Sequence, residues 1–206
     1  MSTHGPIIYV VDDDVSICKA LSLLLKANKF RVATFTNAED FLGFKHPKVQ
    51  SCLVLDIRLP NINGFVLQEV MVQRGIITPI IFITGYGDIS MSVKAIKAGA
   101  IDFLPKPFTE KSLLNAITLA LSESKVLNRK QAGIAKIKQR IDTLSPRELE
   151  VFQFVAQGMM NKNIASKRGT SLQTIKVHRG RVMQKMQAKT VTELISLAQK
   201  AGITPS

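Results

Sequence analysis

Residues 7–27 read IIYVVDDDVSICKALSLLLKA. An unbroken apolar run ends in three aspartates. A segment with Ile17, Leu21, Leu24 and Leu25 at helical spacing follows. Unbroken rather than alternating hydrophobicity is the pattern of a strand covered on both faces. The same unit recurs outward from here. Further strand-like runs are RVATF (31–35), CLVL (52–55), PIIFIT (79–84) and AIDFL (100–104). Between them, residues 64–73 carry Phe65, Val66, Glu69 and Val70 in a helical pattern. Asp88 is positioned to cap a helix through about Ala98, which Gly99 stops. Thr109 and Ser112 open another, with Leu113, Leu114, Ile117 and Leu121 along it. Five strands alternating with five helices predict an α/β fold: a five-stranded, doubly wound parallel sheet.

The 206 residues exceed that domain. Composition is 46% hydrophobic and 21% charged, which suits a globular chain with a core. No apolar run approaches the roughly 18 residues of a membrane span. The opening MSTHGPIIYVVDDD lacks the basic segment of a signal peptide, so a cytoplasmic protein with no membrane contact is expected. Cys18 and Cys52 are far apart and outside any CxxC pattern, and His4, His46 and His178 are scattered. A disulfide framework or a histidine–cysteine metal site is therefore not expected, and both thiols read as small buried hydrophobes.

The net charge of +13 is uneven: +2 over residues 1–121, +4 over 122–143 and +7 over 144–206. A basic C-terminal part suggests a polyanionic partner there; a solvated basic surface is the plainer alternative. Residues 122–143 are polar and basic, with Leu127, Ile134 and Ile141 seven apart and Ile137 and Leu144 between. They read as a linker helix, either a short coiled coil or a solvated one. From Leu144 onward no strand pattern remains. Ser145 and Pro146 read as an N-cap and first helical residue, and further helices fall at about 161–167, 171–187 and 191–201. The division expected is therefore 1–121, 122–143 and 144–206.

In a parallel sheet, chemistry gathers at the carboxyl ends of strands. The first strand ends in Asp12, Asp13 and Asp14, the third in Asp56 and the fourth in Thr84, while Lys106-Pro107 follows the fifth. Each residue alone is unremarkable, since acids at strand ends often cap helices. Together they put carboxylates, a hydroxyl and a lysine on one edge. Crowded carboxylates repel, and a hard cation with oxygen ligands relieves this; Mg²⁺ suits carboxylates plus phosphate oxygens. With a lysine and a threonine the set makes a cradle for a phosphoryl group, with a carboxylate as nucleophile.

The stretches YVVDDD (9–14), LVLDIRLPNINGF (53–65), FITGYGD (82–88) and IDFLPKPF (101–108) resemble the receiver domain of bacterial two-component response regulators, over about residues 6–121. The resemblance implies a flavodoxin-like sheet in which Asp56 accepts phosphate from a sensor histidine kinase. It implies that Asp12, Asp13 and Asp56, with the main-chain carbonyl of Arg58, hold Mg²⁺, and that Lys106, before a cis Pro107, contacts the phosphoryl group. Thr84 is then the switch hydroxyl and Phe103 the switch aromatic. Phosphorylation would draw Thr84 inward, admit Phe103 to the vacated space, and change the face of the fourth helix, fifth strand and fifth helix so that a homodimer is favoured.

LSPRELEVFQFVAQGMMNKNIASKRGTSLQTIKVHRGRVMQKMQAK (144–189) is similar to the LuxR-type helix-turn-helix of FixJ-like regulators. Asn161 to Lys167 is then the positioning helix, and Ser171 caps a recognition helix running to about Met186, with Ile175, Val182 and Met186 inward. Thr174, Lys176, Arg179 and Arg181 lie on its other face. Lys176 and Val177 are expected to touch base edges of double-stranded DNA, and Lys162, Arg179, Arg181 and Lys185 to hold its backbone. His178 reads as a packing or phosphate residue. Val191, Leu194, Ile195 and Ala198 resemble a dimerisation helix. RNA polymerase is a further candidate partner. Three residues depart from the family pattern. Arg168 and Thr170 stand where it has buried apolar residues, so Arg168 is expected to snorkel outward. Gly180 within the recognition helix costs roughly 1 kcal/mol relative to alanine.

Two other classes of protein share some of these features. A Mg²⁺-dependent aspartyl phosphatase of the haloacid dehalogenase type uses similar residues, but places its nucleophile in a D-x-D pair on the first strand and keeps acids after the lysine. Here Lys106 is followed by Pro-Phe-Thr. The expectation is a non-enzyme that at most loses its own phosphate slowly. A constitutive DNA-binding or scaffold protein is the third reading, which the departures at Arg168 and Thr170 favour.

Overall fold

The structure is a computed structural model and describes residues 5–85 and 89–203. The chain forms two compact units, residues 1–129 and 130–206.

The first unit contains five strands: β1 (Ile7–Val11), β2 (Arg31–Phe35), β3 (Ser51–Asp56), β4 (Ile80–Thr84) and β5 (Asp102–Pro105). All pair in parallel, in the order β2-β1-β3-β4-β5. The helices between them are α1 (Val15–Ala27), α2 (Ala38–Gly43), α3 (Gly64–Gln73) and α4 (Ile89–Lys97), and α5 (Glu110–Ile141) follows β5. The two-residue period of a strand divides its side chains between two cores. Ile7, Tyr9, Val11, Leu53, Leu55 and Phe82 meet Phe41 of α2, Leu67 and Met71 of α3 and Ala95 of α4. Ile8, Val10, Cys52, Val54, Ile81 and Ile83 meet Leu21 and Leu25 of α1 and Leu113, Ile117 and Ala120 of α5. Helices thus cover both faces, which is why β1, β3 and β4 are buried throughout. Strand order reverses beside β1, and a crevice opens there at the carboxyl ends of β1 and β3.

Three features differ from the sequence expectation. The short α2, capped by Asn37, adds a helix where the sequence shows no helical period. The expected cap Asp88 lies outside the described residues. The expected linker is not a separate helix, because α5 runs unbroken from Glu110 to Ile141. Its middle is largely exposed, throughout Arg129 to Gly133, as a solvated helix would be, and it is tied down on either side of that stretch. The Ser124 hydroxyl accepts from the Ser51 amide, and Asn128 donates to the Val49 carbonyl, within the first unit. Ile137 belongs to the buried core of the second unit, with Ile141 and Leu144 packed against it.

The second unit adds α6 (Pro146–Ala156), α7 (Asn161–Arg168), α8 (Leu172–Met186) and α9 (Val191–Lys200). Ser145 and Glu148 form a capping box with Pro146 in the first turn. Gly169, at φ 60°, closes α7, and Ser171 caps α8 by accepting from the Thr174 amide. The core comprises Val151, Phe152, Ile164, Ile175, Val182, Met186, Leu194 and Ala198. Among the described residues, no helix is long and apolar enough to cross a membrane.

Candidate functional site

The three aspartates after β1 have separate tasks. Asp12 is fully buried and its carboxylate accepts from the Asp14 amide at 2.9 Å. Asp13 is exposed at the rim. Asp14 caps α1 by accepting from the Ser16 amide at 2.7 Å, so the plain reading of an acidic run as a helix cap holds for this one residue. Asp56, at the end of β3, is 7% exposed. Carboxylate oxygens of Asp12, Asp13 and Asp56 all lie within 4.8 Å of one another.

Lys106 reaches into this cluster from the turn after β5. Its Nζ stands 2.6 Å from Asp12 Oδ2 and 2.9 Å from Asp56 Oδ2. Its amide donates to the Thr84 carbonyl at 2.7 Å, and the bond to Pro107 is cis. Burial pushes the Asp12 carboxyl above the usual range, with the Lys106 ammonium and the Asp14 amide pulling the other way. Burial works against the charge of Lys106, but the two carboxylates outweigh it and raise its pKa. Thr84 is fully buried at the end of β4. Phe103 pairs with Phe82 and is half-buried, packed against the core that includes α3 and α4.

Two supporting residues were not singled out from sequence. A Cβ at Gly64 would lie 2.7 Å from the Asp56 carbonyl oxygen, so only glycine lets α3 start this close to the end of β3. The Cys18 thiol donates to the Asp12 carbonyl at 3.3 Å. Both signals require knowledge of which segments meet in space.

In the second unit, Ile175, Val182 and Met186 face inward on α8, as expected, and Lys176, Val177 and Arg181 are exposed, as is Lys162 on α7. Thr174 is exposed and bonded to Ser171. Two expected backbone contacts have other partners. Arg179 donates to Asn161 Oδ1, tying α8 to the start of α7. Lys185 stands 2.6 Å from the buried Glu148 carboxylate and donates to the Thr143 carbonyl at 2.9 Å. It therefore anchors α8 to the α5–α6 turn, because the carboxylate left inside by the capping box needs a cation. The Lys185 ammonium and the Ser145 amide hold the Glu148 carboxyl down at about 2.

The four residues expected at a dimer interface differ in burial. Leu194 and Ala198 are fully buried, and Val191 packs against the same core. They hold α9 to its own unit, leaving Ile195 partly exposed. Arg168 points outward, as expected, and pairs with Glu150 at 2.6 Å. Gln173 and Gln184 share the outer face of α8 with Val177, and both are exposed.

An α/β unit with an acidic, lysine-bridged pocket at its topological switch, followed by a helix-turn-helix unit, defines a class of regulator that couples a phosphoryl-type site to a DNA-binding module. The chain belongs to the response regulator family: residues 8–118 match the family described as response regulator receiver domain, and residues 142–198 match the bacterial regulatory proteins of the luxR family. It is 42% identical to Nodulation protein W of Bradyrhizobium diazoefficiens, over 96% of this chain and 87% of that one. It is 38% identical to the transcriptional regulatory protein FixJ of the same organism, over 98% of each. Among solved structures it resembles the response regulator StyR, with a TM-score of 0.72 at 41% identity, covering 95% of this chain and 99% of that one. Full-length FixJ from B. japonicum gives a TM-score of 0.55 at 37% identity, covering 98% and 99%. The protein is a response regulator with a receiver domain and a LuxR-type DNA-binding domain.

Proposed function

We propose that Asp56 is the phosphoacceptor of a two-component system, and that its phosphorylation by a sensor histidine kinase switches homodimerisation and DNA binding. The observation that carries this is the lysine bridge: Lys106 Nζ lies within 3 Å of both Asp12 and Asp56, at the crevice where a phosphoryl group on Asp56 would need a counter-charge. Asp12, Asp13, Asp56 and the main-chain carbonyl of Arg58 would hold Mg²⁺. Three carboxylates with oxygens this close fit a hard cation. When bound, the ion offsets negative charge on phosphoryl oxygens. Lys106 moves from carboxylate to phosphoryl oxygen, the Thr84 hydroxyl turns toward it, and Phe103 follows into the space released. The protein accepts a phosphoryl group and does not turn over a substrate, beyond slow self-dephosphorylation.

Receiver function is assigned to residues 1–121 and DNA binding to 144–206, with 122–143 connecting them through α5. Lys176 and Val177 meet base edges, with Thr174, Lys162 and Arg181 toward the backbone. Dimerisation is assigned to the α4–β5–α5 face of the receiver, where Val93 and Ile96 of α4 and Leu119 of α5 are exposed. RNA polymerase is the expected downstream partner, and the cytoplasm, where bacterial DNA lies, the place of action.

The test treats wild type and Asp56→Asn with acetyl phosphate and Mg²⁺. An acyl-phosphate mass increment on the Asp56 peptide in wild type alone is expected. An equal increment in both proteins would place the acceptor elsewhere.

A further inference from the structure

Helix α8 carries a glycine in its middle, Gly180. Glycine is less favourable than alanine inside a helix, and the protein gives no steric reason for it: a Cβ at 180 would meet nothing within 4 Å. Gly133 in α5 is equally open, so open space alone decides nothing. Position separates the two. The buried residues Ile175, Val182 and Met186 mark the inward face of α8. Gln173, Val177, Gly180 and Gln184 follow one another at spacings of four, three and four along the opposite face, and all are exposed. Gly180 therefore sits in the centre of the stripe that a groove-bound helix turns toward the bases.

The major groove is about 12 Å wide, and a helix with its side chains is about 10–12 Å across. Little radial slack remains, so one absent side chain at the centre of the outward stripe changes how deeply the helix can sit. Val177 has a methyl-bearing tip suited to thymine, and Gln173 and Gln184 carry amides suited to the donor and acceptor of adenine. All three are short or medium side chains that need the helix axis near the groove floor.

We propose that Gly180 is a specificity-determining position. The edge of a base pair occupies the space where a Cβ would stand, and the missing side chain lets α8 approach closely enough for Val177 and its glutamine neighbours to read bases. This rests on α8 being the groove helix, and the test separates the two ideas.

Full-length protein treated with acetyl phosphate and Mg²⁺ is used to select fragments from a genomic DNA pool. Wild type, Gly180→Ala and Val177→Ala are then compared on an enriched duplex and on a scrambled duplex, with thermal unfolding alongside. The inference expects Gly180→Ala to unfold at a higher temperature than wild type. It also expects about a 10-fold or greater loss of affinity for the enriched duplex, in the range of a single base mismatch, with affinity for the scrambled duplex within about 2-fold. Enriched-duplex binding equal to wild type overturns the inference. If Val177→Ala is then still weakened, the groove-helix reading survives; if it is not, that reading falls too. A lower unfolding temperature for Gly180→Ala also overturns it, since glycine would then serve the fold.

Discussion

At the residue scale, Lys185 carries a role that its place on the helix does not reveal. On a helical projection it is one more cation on a basic helix, yet it is the counter-charge of the buried Glu148. Replacing it with methionine leaves that carboxylate with its capping partner alone and should destabilise the second unit by about 2 kcal/mol, the range of a charge-assisted hydrogen bond. Thermal unfolding measures this. The pH dependence has a definite sign. The folded carboxyl sits at about 2, below its ordinary 4.5. Its stabilisation is therefore complete above 4.5 and fades as pH falls toward 2. The gap in unfolding temperature between wild type and Glu148→Gln should be widest near neutrality and close across that window. A constant gap would mean the carboxylate charge is not what matters. Arg168 was legible from sequence, because an unpaired buried guanidinium is too costly to exist. Its partner Glu150 was not, because α6 and α7 meet only in the folded unit. That pair is about one-third exposed on both sides, so Arg168→Ala should cost under about 1 kcal/mol.

Elements were legible where periodicity was strong and obscure where it was short. The buried strands announced themselves as unbroken apolar runs, and the capped starts of α6 and α8 fell where Ser145 and Ser171 placed them. The six-residue α2 offers only Ala38 and Phe41 to the core, too little to show a period. In α5 the seven-residue repeat of Leu127, Ile134 and Ile141 suggested a coiled coil, but three of the apolar residues along this stretch have partners within their own units. Leu127 lines a groove with Ile76 and Pro79 in the first unit, while Ile137 and Ile141 pack into the second. Truncating Ile137 to alanine should then cost about 2–4 kcal/mol of second-unit stability at any protein concentration. A coiled-coil residue would instead give a concentration-dependent loss. Helix α9 follows the same logic. Leu194→Ala should lower the unfolding temperature without changing the sedimentation of the phosphorylated protein, whereas a charge at Val93 or Ile96 should keep that protein monomeric with its stability intact. Dimers lost only in the Leu194 variant would return dimerisation to α9.

At the scale of the whole molecule, the charge distribution limits how phosphorylation can act on DNA binding. Of the net +13, residues 144–206 hold +7 and residues 1–121 only +2. Phosphorylation replaces the single negative charge of the Asp56 carboxylate with roughly −1.5 to −2 at neutral pH, a net change of about −0.5 to −1 that trims the receiver's excess and adds no long-range attraction to DNA. A gain in DNA affinity on phosphorylation therefore cannot come from the phosphoryl charge itself. It has to come from a change in population, and coupling two DNA-binding units in one dimer is the change that the exposed apolar α4 and α5 residues support. The salt dependence of binding distinguishes this from release of a single unit. The logarithm of affinity falls with the logarithm of salt in proportion to the phosphates contacted, so joining two units should roughly double the slope as well as raise affinity about 10²-fold or more. Binding titrations at several salt concentrations, with and without acetyl phosphate, measure both quantities. Asp56→Asn should show neither change. Chelating Mg²⁺ before phosphorylation should suppress both in wild type, since the acidic pocket would then lack the cation that offsets the phosphoryl charge. Higher affinity at an unchanged slope would mean that phosphorylation frees one DNA-binding unit rather than pairing two.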